Sequence, residues 1–324
     1  MLGNKKNQKK TVFGGIGVAL LLCALMVLMP MSGYVDNNET EATVQSVEAD
    51  STGAEEYYAL PEKIAEAEYE YDPSLELQGM RDAKTKSFLN EDGSITQMVA
   101  SEPIHYMSAD GTWEDIDLNI QAYPEGWGVT ENTFTTYFAP EVAGGVMVQA
   151  NEFVDPVVSG INPMLVTLDA TGSAPEPFIT APSPNSVDVG GNVIRYPLAE
   201  GFDLDYEVES NQVKQNLILR EVPVIPEAAE YFGISEGIRM PAGYALFSGE
   251  TMLGEEIFKT QEDLQIRNIE TGELLVEIPA PVILEANAAE PYTGTFFVQV
   301  HGPDIVLITV VESDWLLDED RQYP

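Results

Sequence analysis

Residues 202–219 read FDLDYEVESNQVKQNLIL, and their alternation decides the fold class. Leu204, Tyr206 and Val208 recur at period two on one side of a strand, and Val213, Gln215, Leu217 and Leu219 do the same on the next. Ser210-Asn211 stands between the two runs, so the stretch predicts an antiparallel hairpin. The texture recurs throughout the chain after Met80. Asp92-Gly93, Asp110-Gly111, Gly190-Gly191, Thr271-Gly272 and Gly302-Pro303-Asp304 each separate runs of β type. Repeated hairpins with few helical stretches predict an all-β chain, an antiparallel β-sandwich of one large or two packed units over residues 76–324. The proline-rich connection SAPEPFITAPSPNS, residues 173–186, is expected either to divide two β units or to be a long surface loop.

Upstream of this body the composition changes twice. Residues 1–35 hold Lys5, Lys6, Lys9 and Lys10, then an uncharged stretch from Thr11 to Val35. As a helix, that stretch would extend roughly 37 Å at 1.5 Å per residue, enough to cross the hydrocarbon layer with the basic flank left inside. It is expected to be a transmembrane anchor or a signal helix. Its length and the missing A-x-A pattern favour the anchor over a cleaved peptide, although Pro30, Ser32 and Gly33 loosely suggest a cleavage region. Cys23, the lone cysteine, lies inside this run behind Leu22, where a lipoprotein signal needs a small residue, and is read as a membrane-embedded apolar side chain. Residues 36–75 form an acidic stretch with Lys63 as its one base, expected to be a solvated stalk. Within it, Pro61 to Tyr71 suits a short helix, and Asn38-Glu39-Thr40 is a glycosylation acceptor pattern. A further short helix is expected around Pro226 to Tyr231.

Charge narrows the partners. The chain carries a formal net charge of −39 over 324 residues, and beyond the four leading lysines 11 basic groups face 54 acidic ones, a net of −43. Such a surface repels phosphate backbones and anionic headgroups, so nucleic-acid binding is disfavoured and membrane contact is left to the N-terminal helix. The acids on the polar faces of the strands are expected to be solvated.

One stretch holds the residue types of a metal or acid/base site. In IHYMSADGTWEDIDLNI, residues 104–120, His105 lies near Asp110, Glu114, Asp115 and Asp117. Period two sends Ile116 and Leu118 to one face and Asp115 and Asp117 to the other, which makes these carboxylates the wet face of a strand. Asp115, Asp117 and Asn119 also match the first ligand positions of a calcium loop. Ile120 then stands where that loop needs glycine, and no glutamate occupies its twelfth place. His105 and His301 are far apart in sequence with no cysteine in the β body to join them in a zinc site, so each is read as an ordinary strand histidine.

No metal or cofactor is expected, and catalytic signatures are missing. The sequence contains no H-E-x-x-H and no phosphate-cradling glycine loop. A carboxylate pair chosen among 54 acids says nothing for glycosidase chemistry. A binding module has more support. Trp113, Trp127 and Trp315, with the aromatic-rich stretches NTFTTYF and YTGTFFVQV, offer material for a sugar-stacking platform, and YPEGWGVTENTF places Trp127 between two glycines on an expected exposed loop. Trp127 and Trp113 are the candidate stacking residues, against the plainer reading that strand-end tryptophans are packing.

Four stretches in order carry a family resemblance. Arg81 with AKTKSFLNEDGSITQMVASEPIHYMSADGTWEDIDLNI, then GFDLDYEVESNQVKQNLIL, EIPAPVILEA and ESDWLLDEDRQYP, is similar to the β-rich module that opens many Rhs/YD-repeat, wall-associated and DNRLRE-domain surface proteins of bacteria and archaea. The resemblance spans about Arg81 to Pro324. Asn211-Gln212 replaces the usual turn glycine and Glu285 a common aspartate. In that family the R-x-Y-P stretch runs on into another strand, whereas here the sequence stops at Pro324, so the chain is expected to be the front part of a longer surface protein or a degenerate stand-alone copy. The resemblance implies a structural, non-catalytic sandwich. The expected function is therefore an extracytoplasmic, membrane-tethered structural module at the cell surface, with other surface proteins or glycans as partners. The alternatives are a carbohydrate-binding module and, less favoured, a glycan-active hydrolase.

Overall fold

The computed structural model describes residues 72–319, apart from 151–153, 173–174, 179–182, 184–185 and 286–290, together with the backbone of Leu20–Leu28. The described chain divides into two compact units. The smaller, within residues 31–101, contains the hairpin Thr85–Leu89 and Ile95–Val99, turned at Gly93 with φ +83° and preceded by two 3-10 turns. In it the Arg81 guanidinium grips the Glu76 carboxylate through two bonds of 2.6 and 2.9 Å.

The larger unit, within residues 1–30 and 102–324, is β-sandwich-like and built of antiparallel pairings. One sheet runs in the order Asp188–Gly190, Val193–Ala199, Phe202–Val208, Gln212–Leu219, Leu20–Leu28, Leu274–Ile278, Leu264–Asn268, Tyr244–Ser248 and Thr251–Met252. The other runs Phe258–Thr260, Thr295–His301, Asp304–Glu312, Tyr231–Arg239, Val157–Leu168, Gly144–Gln149, Thr135–Phe138, Gly126–Val129 and Gln121–Tyr123. The expected hairpin at 202–219 forms, with Phe202 opposite Leu219 through Val208 opposite Val213. Its inward set, Leu204, Tyr206, Val208, Val213, Leu217 and Leu219, enters one core with Phe138, Val148, Leu165, Phe232, Ile234, Ile238, Val298 and Leu307 of the other sheet. That shared interior is what makes two layers into one body. A smaller cluster of Val166, Leu168, Tyr231, Phe297, Ile308 and Val310 packs apart from it. Residues 173–186, where they are described, fall within this larger unit.

Several expectations need correction. Of the apolar run Thr11–Val35, the described part, Leu20–Leu28, is a strand and not a helix. It pairs with Gln212–Leu219 from Leu20 opposite Leu219 to Val27 opposite Gln212, and on its other side with Val282–Leu284 and Leu274–Ile278. An uninterrupted apolar run has no period to favour helix over strand, and two open strand edges supply what its backbone needs. No helix among the described residues is long and apolar enough to cross a membrane. The rest of that run, the stretch 36–71 with its helix at Pro61 to Tyr71 and the acceptor at Asn38 lie outside the described residues. Around Pro226 there is a turn, Ala229 N–H donating to the Pro226 carbonyl at 2.9 Å, and the strand Tyr231–Arg239 follows at once. So few residues do not nucleate a helix when a neighbouring strand competes for the backbone.

The polar face of 202–219 also departs from a simply solvated one. Asp203 and Asp205 are buried on the side opposite Leu204. Arg195 donates to both oxygens of Asp205 at 2.7 and 2.6 Å, and Arg220 donates twice to one oxygen of Asp203 at 2.8 and 2.6 Å. Charge-assisted bonds with this fork geometry replace the water that the carboxylates lose.

Candidate functional site

The four strands from Gln121 to Gln149 form a meander at one end of the second sheet, and their residues build an open aromatic pocket. Parity sorts them. Val129, Phe138, Val146 and Val148 point into the core, which leaves Tyr137 and Met147 for the opposite face, paired in register with each other. Tyr137 is flanked on its other side by Gly128. A Cβ on Gly128 would lie 2.9 Å from Tyr137 Cδ1 and 3.3 Å from Tyr123 Cε2, so two tyrosine rings close over a position that has no side chain. The rings meet edge to face, with centroids 5.7 Å apart and planes at 74°. Gly126 extends the floor at φ +138°, where a Cβ would stand 2.1 Å from the Phe138 carbonyl oxygen. Pro124 and Glu125 form the rim, Met147 and Trp127 add to the lining, and the cavity measures about 610 Å³. Such a surface offers apolar ring faces, phenolic hydroxyls and one rim carboxylate, the donor and acceptor set of a site that stacks a ring and binds its hydroxyl groups.

Trp127 is placed differently from the expected exposed loop. It lies in the strand Gly126–Val129 opposite Phe138, half-buried and packed against the core, because the Pro124-Glu125 turn comes earlier than the flanking glycines suggest. Trp113 is half-buried in the hairpin Trp113–Asp115, opposite Met107 and apart from the pocket. Trp315 stacks on Tyr292 at 4.7 Å. The ring faces of the pocket thus come chiefly from Tyr123 and Tyr137, which sit inside the quoted stretches YPEGWGVTENTF and NTFTTYF without being singled out there. Met147 had no local signal beyond its alternation with Val146 and Val148.

The carboxylates near His105 do not gather. His105 is fully buried opposite Asp115, with Nε2 3.5 Å from Asp115 Oδ1. Asp117 Oδ1 accepts from the Asn119 backbone N–H at 2.9 Å and from Asn119 Nδ2 at 2.6 Å, a local side-chain turn that occupies two of the three candidate calcium ligands with each other. Among the described residues, no three or more His, Cys, Asp or Glu side chains are grouped to hold a metal ion. The burial alternation read from the sequence persists here, Ile116, Leu118 and Ile120 being less exposed than Asp115, Asp117 and Asn119, although the strand itself ends at Asp115. His301 is exposed at a hairpin end, opposite Asp304.

Comparison with protein families, characterised proteins and solved structures returns no significant match.

Proposed function

We propose that the chain is a non-catalytic, extracytoplasmic structural module of the cell surface, directed to the membrane by its N-terminal apolar run. The observation that carries this reading is the single interior shared by two broad antiparallel sheets, which makes a stiff platform. The leading lysines, the uncharged run and the four ordered stretches similar to surface-protein modules support it. A net charge of −43 keeps such a platform soluble and away from anionic surfaces. Leu20–Leu28 cannot lie in a bilayer and in the sheet at once, so tethering through it requires this strand to leave its place beside Gln212–Leu219. Protease shaving of intact cells tests the location: digestion of the β body is expected, and a body protected until lysis refutes it.

A carbohydrate-binding role is favoured by one specific observation, the pair of perpendicular tyrosines over Gly128. The acidic surface argues for neutral glycans over sulfated or phosphorylated ones. On a glycan array, Tyr123→Ala and Tyr137→Ala are each expected to weaken binding about 2- to 10-fold, as loss of roughly 0.5–1.5 kcal/mol of ring contact implies. Trp113→Ala should leave binding unchanged. No glycan bound by the full chain, or equal loss for Trp113→Ala, refutes this role.

A further inference from the structure

A carboxylic acid interrupts the apolar interior between the sheets. Glu236 lies on the strand Tyr231–Arg239 and shares its inward face with Phe232, Ile234 and Ile238. It is 4% exposed. From the opposite sheet, Gln215 Nε2 donates to Glu236 Oε2 at 2.7 Å. Tyr206, also from that sheet, brings a buried phenolic oxygen that has no hydrogen-bond partner among the described residues. Room for that oxygen is made by Gly160 at φ +63°, in the irregular part of Val157–Leu168: a Cβ there would lie 2.3 Å from Tyr206 Oη and 3.9 Å from Glu236 Oε2. Between these groups and Ser159 remains a void of about 20 Å³, the size of one water molecule, lined with enough polar atoms to hold it.

Among the described residues, the surroundings give the carboxyl no counter-charge. Its own sheet contributes Val148, Ser159, Ile238 and Leu307 to the lining, and the opposite sheet Val213, Ile278, Gln215 and Tyr206, so among the described residues Tyr206 is the one other titratable group there. The adjoining strand Leu20–Leu28 has no charged residue. Burial pushes the Glu236 carboxyl up to about 7, against the opposing effect of the Gln215 bond. Burial, and then the Glu236 carboxylate, hold the Tyr206 phenol well above its ordinary value, which keeps it neutral.

We propose that Glu236, Tyr206, Gln215 and Ser159 form a buried site for one proton and one water molecule, and that protonation of Glu236 from solvent ties the two sheets together. The neutral carboxyl keeps the Gln215 bond and gains a donor for the water or for Tyr206 Oη. The carboxylate can only accept, and its charge has to be carried in an apolar interior. The module therefore tightens as its surroundings acidify.

The direction follows from linkage. The folded carboxyl titrates above its ordinary 4.5, so the contribution is fully present below about 4.5 and is lost as pH rises through about 7. The difference of 2.5 between 4.5 and 7 corresponds to an unfolding constant larger on the order of a hundred-fold at pH 8.5 than at pH 4.5. Surface repulsion among the other carboxylates acts in the same direction but is screened by salt, whereas the buried group is not.

The test is urea unfolding of the full chain and of Glu236→Gln from pH 4.5 to 8.5 in 0.5 M salt, with a carbon-13 titration of the glutamate carboxyls. Relative to the variant, the unsubstituted chain is expected to lose stability by that factor. A carboxyl signal with a midpoint near pH 7 is expected, absent in Glu236→Gln. Parallel pH profiles, or no carboxyl titrating above about pH 6, would overturn the proposal. Should Glu236→Gln not fold, the titration of the unsubstituted chain decides alone.

Discussion

Gly160→Ala is expected to destabilise the larger unit by about 2–5 kcal/mol, and about half of this should disappear when Tyr206 is also changed to phenylalanine. Two effects add. At φ +63° an alanine carries roughly 1–2 kcal/mol of left-handed strain. Its Cβ would also stand 2.3 Å from Tyr206 Oη. The tyrosine has nowhere to go, since its ring lies against Phe138 at 5.9 Å and Tyr196 at 6.1 Å inside the core, so overpacking adds about 1–3 kcal/mol. Tyr206→Phe deletes only the oxygen, and the next ring atom, Cζ, is 3.4 Å from the added carbon, an ordinary contact. In the phenylalanine background the strain should remain and the collision should not. Urea unfolding of the four chains, followed by tryptophan fluorescence at matched m-values, gives the coupling directly. A coupling of about 1–3 kcal/mol is expected. Additivity within about 0.5 kcal/mol, or a Gly160→Ala effect below about 1 kcal/mol, would refute the geometry.

Other substitutions probe the two faces of the same hairpin. Arg195→Met removes both bonds to the buried Asp205 carboxylate and should destabilise by about 1–3 kcal/mol in chemical unfolding, with Asp205→Asn restoring part of the loss in that background. Full additivity of the two would show that the pair is not coupled. Leu204→Ala, at a fully buried position between the sheets, should cost about 2–5 kcal/mol, whereas the exposed Leu75→Ala should stay within about 0.5 kcal/mol. Similar effects at both positions would contradict the shared core.

Much of the β body was legible because its signals are local. Gly93, Gly111, Gly191, Gly272 and Gly302 all adopt positive φ at the turns where the dipeptides predict them. The Ser210-Asn211 turn joins its two strands as the expected antiparallel hairpin despite lacking the glycine. The candidate site was legible only in outline. The aromatic-rich stretches were visible, but the choice of Tyr123 and Tyr137 over Trp127 depends on which neighbour across the sheet is a glycine, and the relevant one is Gly128. The apolar run before Val35 misled for a related reason: with no alternation to mark a face across Leu20–Leu28, composition alone leaves helix and strand equally open.

Alone, then, the order of residues determined hairpins such as 202–219 and the inward side of their strands, since period two and turn chemistry act between neighbours a few positions apart. Tertiary structure decided which hairpins share a sheet, that Asp203 and Asp205 are sealed under arginines, and that Glu236 meets Gln215 and Tyr206 across the interior. Those outcomes rest on pairings such as Val157–Leu168 with Tyr231–Arg239, and on the space left by Gly160. A buried charge or an aromatic pocket is defined by what faces it from distant parts of the chain, and no local pattern carries that information.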